Sequence, residues 1–574
     1  MSFTSGEAPR SIAPARGLSA LLDWAAAAHG RAAALLLLFA LIAFLPGFFQ
    51  IPPVDRDEAR FAQATKQMIE SGQYIDIRFQ NEVRYKKPIG IYWLQAAAVR
   101  AGEAVGVPNA LTTIWLYRLP SLFGATGAVL LTYWAALAFV SRRAALLAAL
   151  MMASSILLGV EARLAKADAT LLFTCVAAMG AMARVYLSHR RAPEEKIGWA
   201  LPAIFWTAIA AGVLVKGPLI LMFVLLTALA LAILDRSARW IGALRPLTGF
   251  IWMLLLVTPW FAAIVAKSGM TFFSDAVGQD MLAKVASAQE THGAPPGFYL
   301  LLFFLTFWPG AVLAAPAAPR VWKARREPGA QFLLAWLIPS WLLFEAVVTK
   351  LPHYVLPLYP AIAILTAGIL DQNGLSKARW LVRGTVGWFL FPSLIAITMV
   401  VGFIYIERDL GLIAWPSAAA AMVFGLFAWR LYEVDGPERS LLRGMVTSVF
   451  VAITVYAVSF PSLIALFPSA LIAEHVHAAG CKDAEVATTD YYQEPSLIFL
   501  LGTQTPITTG KHAAEFLQRG PCHFALIDAR SEPSFIRRAN AIGLHYALAE
   551  RVDGYNISIG RPVTLTIFRS MAGP

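Results

Sequence analysis

The sequence predicts an all-α polytopic membrane protein that carries a small α/β domain near its C-terminus. Of its 574 residues, 58% are hydrophobic and only 14% are charged, and a soluble chain of this length usually carries more charge. Thirteen apolar runs each approach the ~20 residues that a helix needs to cross a bilayer. After the last run, short strand-like and helix-like segments alternate, which is typical of an α/β domain.

The apolar runs divide the chain into three parts. The candidate spans are 31–50, 118–139, 144–160, 168–187, 199–213, 218–234, 247–266, 298–317, 331–348, 354–370, 383–405, 413–431 and 444–467. We expect an inside arm at 1–30, a transmembrane domain at 31–467 with an outside loop at 51–117, and an outside α/β domain at 468–574. The first run is long for a signal-peptide core and no small-residue cleavage site follows it, so we interpret it as a retained anchor.

The distribution of basic residues predicts the orientation of the chain. With the N-terminus inside, the inside loops carry 18 lysines and arginines, whereas the outside loops after the first carry seven. This difference follows the positive-inside rule, and an odd number of spans then places the C-terminal domain outside. Membrane orientation therefore explains the net charge of +12, and we expect no nucleic-acid partner.

Two helices are predicted in the first outside loop. The first, at 57–71, begins where Asp55 or Asp57 could cap it. Its apolar stripe consists of Phe61, Ala64, Met68 and Ile69. This pattern predicts a helix along the membrane surface with Asp57 and Arg60 on one face. The second helix, at 89–106, is apolar but interrupted by charges, so we expect it to be interfacial.

The outside C-terminal domain is predicted to contain four strands and two helices. The strands are expected at 485–489, 496–501, 523–527 and 563–568, and the helices at 511–519 and 533–542. Cys481 and Cys522 lie in this domain, where the environment is oxidising. Sequence spacing alone does not bring two sulfur atoms together, so a disulfide and two free thiols both remain open.

Charged and polar aromatic residues of the outer loops form the candidate site. The candidate residues are Asp57, Glu58, Arg60, Tyr85, Lys87, Asp168, Lys216, His292, Lys350, His353 and Tyr354. Carboxylates can accept a proton, and lysine or arginine can hold a phosphate. Each residue also has a structural interpretation, such as helix capping for Asp168 or snorkelling for Lys216. Their convergence on one membrane face favours the functional interpretation, because the structural ones do not require it.

Other kinds of site have little support in the sequence. A Walker-type glycine loop, a nucleophile elbow and a CxxC motif are all missing from the sequence. The histidines lack metal-ligand spacing, so we predict no metal site, with a divalent metal as the open alternative. The spans carry almost no charge near mid-membrane, which disfavours an ion-coupled transporter.

Three segments carry a resemblance to a known superfamily. They read DEARFAQATKQMIESGQYI…VRYKKPIGIYWLQA, AGVLVKGPLILM and KLPHYVLPLYPAIAIL. Over residues 31–370 the chain resembles the bacterial polyprenyl-phosphate-sugar glycosyltransferases of the GT-C superfamily. These include the lipid A aminoarabinose transferases and relatives of the protein O-mannosyltransferases. The resemblance implies a GT-C membrane fold of about thirteen helices followed by a periplasmic domain.

The resemblance also implies roles for individual residues. Asp57 matches the acid that opens the family's first loop, and Asp168 matches its second acid. Arg60 and Lys87 match its phosphate-contacting bases. The carrier or donor pocket is expected to be lined by Lys216 and by the segment 350–354. In aminoarabinose transferases an acid stands where this chain has Lys86, so the resemblance leaves the sugar open.

The resemblance implies an inverting glycosyltransferase that acts at the periplasmic face of the bacterial inner membrane. Its partners would be an undecaprenyl-phosphate-sugar donor, membrane lipids, and lipid A or core lipopolysaccharide as the acceptor. No cofactor is required with certainty. The alternatives are a protein O-mannosyltransferase-like enzyme, a lipid flippase or transporter, and a membrane-anchored sensor or assembly protein.

Overall fold

Apolar helices form most of the computed structural model, which describes residues 17–192, 196–276, 278, 293–481 and 484–571. Among these residues, eight helices are long and apolar enough to cross a membrane. They are Ile114–Ala136, Asp168–Arg191, Pro246–Ser268, Pro328–Ala346, Pro352–Asp371, Arg379–Ile406, Leu412–Arg430 and Pro437–Ser462. Shorter apolar helices are His29–Phe44, Ala200–Lys216 and Leu219–Asp235. A ninth crossing would combine Arg142–Ser154 with Ile156–Ala162, which are bent by 61°.

The predicted number of thirteen spans is not confirmed, because several apolar runs form short or broken helices. The third predicted span leaves helical geometry at Ser155, whose ψ is 135°. Another is divided into Phe298–Thr306 and Ala311–Lys323. Pro309 lies between these two helices and lacks the backbone N–H that a continuous helix would need. The predicted fold class, a helical membrane protein with a C-terminal sheet, is confirmed.

The loop at 51–117 forms the two predicted helices. We call Asp57–Ser71 the loop helix, and it ends at Gly72, whose φ of 68° favours glycine. Gly90–Ala104 forms the second helix. The prediction that Asp55 or Asp57 caps the loop helix is wrong, because the N-cap residue is Arg56 and no side chain caps the helix. A small hairpin of Arg78–Phe79 and Glu82–Val83 lies between the two helices.

The loop helix lies between the membrane bundle and the C-terminal domain. Phe61, Ala64 and Met68 join the large apolar core of the bundle. Ile69 joins a second apolar cluster that contains Phe499 of the C-terminal domain. The predicted apolar stripe is therefore buried, and it is divided between two neighbouring structures.

A five-stranded sheet forms the C-terminal domain. In spatial order the strands are Ile507–Thr508, Glu485–Thr489, His523–Asp528, Arg561–Ser570 and Tyr546–Asn556. The first three are parallel and the last two pair antiparallel. The helices of this region are Pro468–Ala478, Pro495–Leu501, Gly510–Leu517 and Glu532–Ala541. Apolar residues from these helices bury both faces of the sheet.

Three of the predicted strands and both predicted helices of this region are confirmed, whereas the strands Ile507–Thr508 and Tyr546–Asn556 and the helix Pro468–Ala478 were not predicted. The segment 496–501 was predicted to be a strand and is wrong, because Pro495–Leu501 is a helix. Its short apolar run fits either structure, and Pro495 suits the first helical turn. Cys481 and Cys522 form a disulfide with their Cα atoms 5.7 Å apart, so the alternative of two free thiols is excluded.

Candidate active site

Five ionisable side chains meet at helix ends on one side of the bundle. We call this set the charge cluster, and it consists of Glu161, Lys166, Asp168, Lys216 and His353. Lys166 Nζ lies 3.1 Å from Glu161 Oε1 and 3.5 Å from Asp168 Oδ2. Asp168 Oδ1 forms an ion pair with Lys216 Nζ and lies 3.5 Å from His353 Nε2. The side chains are only 3–10% exposed, so each charge depends on its neighbours for compensation.

The helices place the cluster residues at their ends. Asp168 is the first residue of Asp168–Arg191, and Lys216 is the last residue of Ala200–Lys216. These positions suit a negative charge at a helix N-terminus and a positive charge at a C-terminus. A close backbone contact brings the first loop to the same place. A Cβ at Gly90 would lie 2.7 Å from the Leu214 carbonyl oxygen, so only glycine fits there.

Two residues of the first loop act electrostatically on the cluster. Burial lowers the pKa of Lys166, but the carboxylates of Glu161, Asp168 and Asp57 outweigh it and raise that pKa above its usual range. Lys87 lies close enough for its charge to act on His353. The structure therefore brings Asp57 near Lys166 and Lys87 near His353, at the edge of the cluster.

Glu58 is placed differently from the expectation that it binds substrate. Its two carboxylate oxygens accept hydrogen bonds from Arg118 at 2.8 and 2.9 Å. They also accept from the backbone N–H groups of Val54 and Ala165. Both Glu58 and Arg118 are 1% exposed. This geometry leaves little acceptor capacity for a ligand, so Glu58 acts as a scaffold that fixes the start of the loop helix.

Tyr85 and Lys350 also have internal partners. The Tyr85 hydroxyl donates to Asp76 at 2.7 Å. Lys350 Nζ donates to the carbonyls of Phe344, Glu345 and Val347, at the end of the helix Pro328–Ala346. A lysine in this position satisfies carbonyls that lack an intrahelical partner. The structure therefore gives both side chains internal partners, and their predicted roles in substrate binding stay predictions.

The remaining candidates occupy the surroundings of the cluster. Arg60 is half-buried and acts electrostatically on Asp55. The Tyr354 ring packs against His353 and Phe344. His292 lies outside the described residues, so its predicted role stays a prediction.

The candidate list missed Glu161 and Lys166, which complete the cluster. Glu161 Oε2 is buried and has no hydrogen-bond partner among the described residues. Both residues lie with Arg163 and Asp168 in a short charged segment between two apolar runs. That concentration of charge beside membrane-length runs was the available signal, since such charges are expensive unless they have a partner or a function.

Three members of the cluster could hold a metal ion. One ligand atom from each of Glu161, Asp168 and His353 lies within 4.8 Å of the others. However, Lys166 and Lys216 already contact these carboxylates. A cation bound there would compete with both ammonium groups for the carboxylates, whereas Glu161 Oε2 has no partner among the described residues. A divalent metal therefore stays the open alternative that the sequence left.

Comparison of the fold with solved structures defines the class of protein. The structure of ArnT from Cupriavidus metallidurans bound to undecaprenyl phosphate has a TM-score of 0.74 at 18% identity, covering 94% of this chain and 99% of that one. Its apo structure gives a TM-score of 0.72 at the same identity, covering 93% and 97%. The chain therefore shares the membrane fold of these two structures, as the resemblance implied.

Sequence comparisons point to particular relatives. The family described as dolichyl-phosphate-mannose-protein mannosyltransferase matches residues 34–268. An undecaprenyl phosphate-alpha-4-amino-4-deoxy-L-arabinose arabinosyl transferase of Erwinia tasmaniensis is 28% identical over 68% of this chain and 72% of its own length. The protein of that name from Pseudomonas paraeruginosa is 26% identical over 76% of this chain and 78% of its own. These matches confirm the predicted resemblance to polyprenyl-phosphate-sugar glycosyltransferases, and the apolar helices support an integral protein of the bacterial inner membrane.

The buried ion pair between Glu58 and Arg118 predicts that the Glu58→Gln variant is much less stable than the wild type. This change leaves the Arg118 guanidinium buried without its counter-charge, so we expect unfolding to become about 3–5 kcal/mol easier. Thermal unfolding of the purified protein measures the effect. Glu82→Gln, an exposed acid of the same loop, is the control and should change stability by less than about 0.5 kcal/mol. Wild-type stability in Glu58→Gln with loss of donor binding would instead identify Glu58 as a substrate ligand.

Asp55 predicts a pH-dependent contact between the first loop and the C-terminal domain. Burial and nearby Glu494 raise the pKa of Asp55 to about 7, against the lowering effects of the Ser496 hydrogen bonds and of Arg60. Because the pKa of Asp55 is higher in the folded protein than in the unfolded chain, its contribution to stability is complete at pH values below the ordinary carboxyl pKa. The contribution is lost as the pH rises through about 7. We expect Asp55→Asn to remove this contribution. Melting temperatures of both proteins between about pH 5 and pH 8 should therefore diverge; parallel curves would contradict the assignment.

Proposed function

We propose that the chain is an inverting glycosyltransferase. It transfers a sugar from undecaprenyl phosphate to lipid A or core lipopolysaccharide at the periplasmic face. The observation that best supports this function is the contact of Asp168 with the ammonium groups of Lys166 and Lys216, with Asp57 near enough for its charge to act on Lys166. Such a site can bind an anionic phosphate and also accept a proton.

The proposed reaction is a direct displacement at the anomeric carbon of the donor sugar. The acceptor oxygen forms a bond to this carbon from the side opposite the phosphate. The bond between the carbon and the phosphate oxygen breaks, and polyprenyl phosphate leaves with the electron pair. Lys87, Arg60 and Lys216 stabilise the negative charge of the leaving phosphate. A single displacement inverts the anomeric configuration.

The two acids have different surroundings and are proposed to have different roles. Asp168 is buried, and both of its oxygens contact cationic groups. It therefore positions Lys166 and Lys216. Asp57 is exposed at the start of the loop helix, where an acceptor can reach it. If the acceptor is a hydroxyl, Asp57 takes its proton; if the acceptor is an ionised phosphate, Asp57 orients it instead.

The proposed topology follows from the loop charges. The arm at 1–30 lies in the cytoplasm, and the transmembrane domain at 31–467 presents its loop at 51–117 to the periplasm. The domain at 468–574 lies in the periplasm as well. This orientation puts the more basic loops on the cytoplasmic side, as the positive-inside rule requires.

The relatives suggest two alternatives for the sugar and its acceptor. The curated relatives are named for an aminoarabinose donor, whereas the matched family is named for protein mannosylation. Lys86 stands where an acid is expected in aminoarabinose transferases. A lysine would repel the amino group of that sugar, so the donor sugar is not assigned.

The Asp57→Asn variant tests the proposed function. It keeps the size of the side chain but removes the carboxylate, so we expect transfer to fall by about 100-fold or more. The readout is the amount of sugar-modified lipid in a deletion strain that carries the variant, measured by mass spectrometry. Membrane levels and melting temperature establish that the protein folds, and Glu82→Gln serves as the control. Full transfer by folded Asp57→Asn would refute the proposed role of Asp57.

A further inference from the structure

The loop helix is attached to the C-terminal domain by buried polar contacts. Lys66 Nζ donates to the Phe499 carbonyl at 2.7 Å. Gln63 Nε2 donates to the Thr503 hydroxyl at 2.8 Å, and that hydroxyl donates to Glu70 at 2.6 Å. Lys66 is 4% exposed and Gln63 is 0% exposed. A group of buried polar contacts between two parts of a chain fixes their relative position, because each unpaired partner would be costly.

Lys66 is the residue whose burial most needs an explanation. Burial lowers the pKa of its ammonium group, and Glu70 only partly opposes this effect. Its acceptor, the Phe499 carbonyl, lies in the last turn of the helix Pro495–Leu501, where carbonyls lack an intrahelical partner. Lys66 thus satisfies the end of a helix that belongs to the C-terminal domain.

The other end of the attachment lies next to Asp57. Arg56 has φ 72°, a conformation that is unfavourable for a residue with a side chain. Its guanidinium donates to the Ser558 carbonyl at 2.7 Å. The neighbouring Asp55 accepts a hydrogen bond from the Ser496 backbone at 3.0 Å. Contacts to the C-terminal domain therefore hold the strained residue that directly precedes Asp57.

Hydrogen bonds also connect the loop helix to the charge cluster. Thr65, beside Lys66, donates to Gln95, and Gln95 donates to the carbonyl of Ala165. Ala165 packs in the same apolar cluster as Phe499 and directly precedes Lys166. The loop helix is thus fixed to the cluster on one side and to the C-terminal domain on the other.

We propose that the C-terminal domain positions Asp57 for transfer, and that Lys66 is the positioning residue that transmits this constraint. The inference rests on the proposed function of Asp57. Lys66 acts through the loop helix and does not contact the reacting groups. A displacement of about 1 Å at a reacting group can reduce turnover up to 100-fold, so a loosened helix should lower the rate more than donor binding.

Lys66→Met tests this role, because it keeps a long side chain and removes the ammonium donor. We expect kcat to fall about tenfold while KM for the undecaprenyl-phosphate-sugar donor stays within about twofold. Lys66→Arg keeps a cationic donor and should recover most of the rate. Lys511→Met, an exposed lysine of the C-terminal domain, is the matched control and should behave as wild type.

Thr503→Val provides a second test that changes the interface more gently. It removes one hydroxyl with little change in shape, and it should lower kcat in the same direction as Lys66→Met. Unchanged kcat in this folded variant would overturn the inference, as would losses in Lys66→Met that Lys66→Arg does not reverse. If Asp57→Asn is inactive while Thr503→Val has the wild-type rate, only the positioning role fails. If Asp57→Asn keeps full turnover, the proposed function itself fails.

Discussion

A charge that is buried beside a membrane must be compensated by another charge, and this constraint organises the structure. The charge cluster places two carboxylates against two ammonium groups and an imidazole, with little exposure to water. Asp168 and Lys216 stand at helix ends, where the helices themselves favour their charges. The cluster therefore fixes how these helices meet, and the first loop folds over it.

The same constraint distinguishes supporting residues from reactive ones. Glu58 and Lys350 are charged, but backbone and side-chain partners within the chain occupy them. Lys66 belongs to the supporting residues as well, because its ammonium group donates a hydrogen bond to a carbonyl of the C-terminal domain. Asp57, by contrast, is exposed at the start of the loop helix. Asp57 is the proposed base because it is exposed and lies next to a cluster whose charges compensate one another.

Local patterns made part of this structure predictable. The apolar stripe and Gly72 located the loop helix, and the convergence of charged residues on one membrane face pointed to Asp168 and Lys216. Long-range pairing was beyond the sequence: Glu58 looked like a ligand because its partner Arg118 lies sixty residues away. The segment Pro495–Leu501 was misassigned because its short apolar run suits a strand as well as a helix. The predicted number of spans stays unconfirmed for a related reason, since the length of an apolar run does not reveal where a helix breaks.

The comparison of lipids and glycoproteins from a deletion strain tests the central claim most directly. Mass spectrometry of lipid A, core lipopolysaccharide and periplasmic glycoproteins would be compared between wild-type and deletion cells. The proposed function predicts that one lipid species loses the mass of a single sugar, that the glycoproteins are unchanged, and that the intact gene restores the lipid. Unchanged lipids together with loss of a sugar from periplasmic proteins would contradict it and favour protein glycosylation.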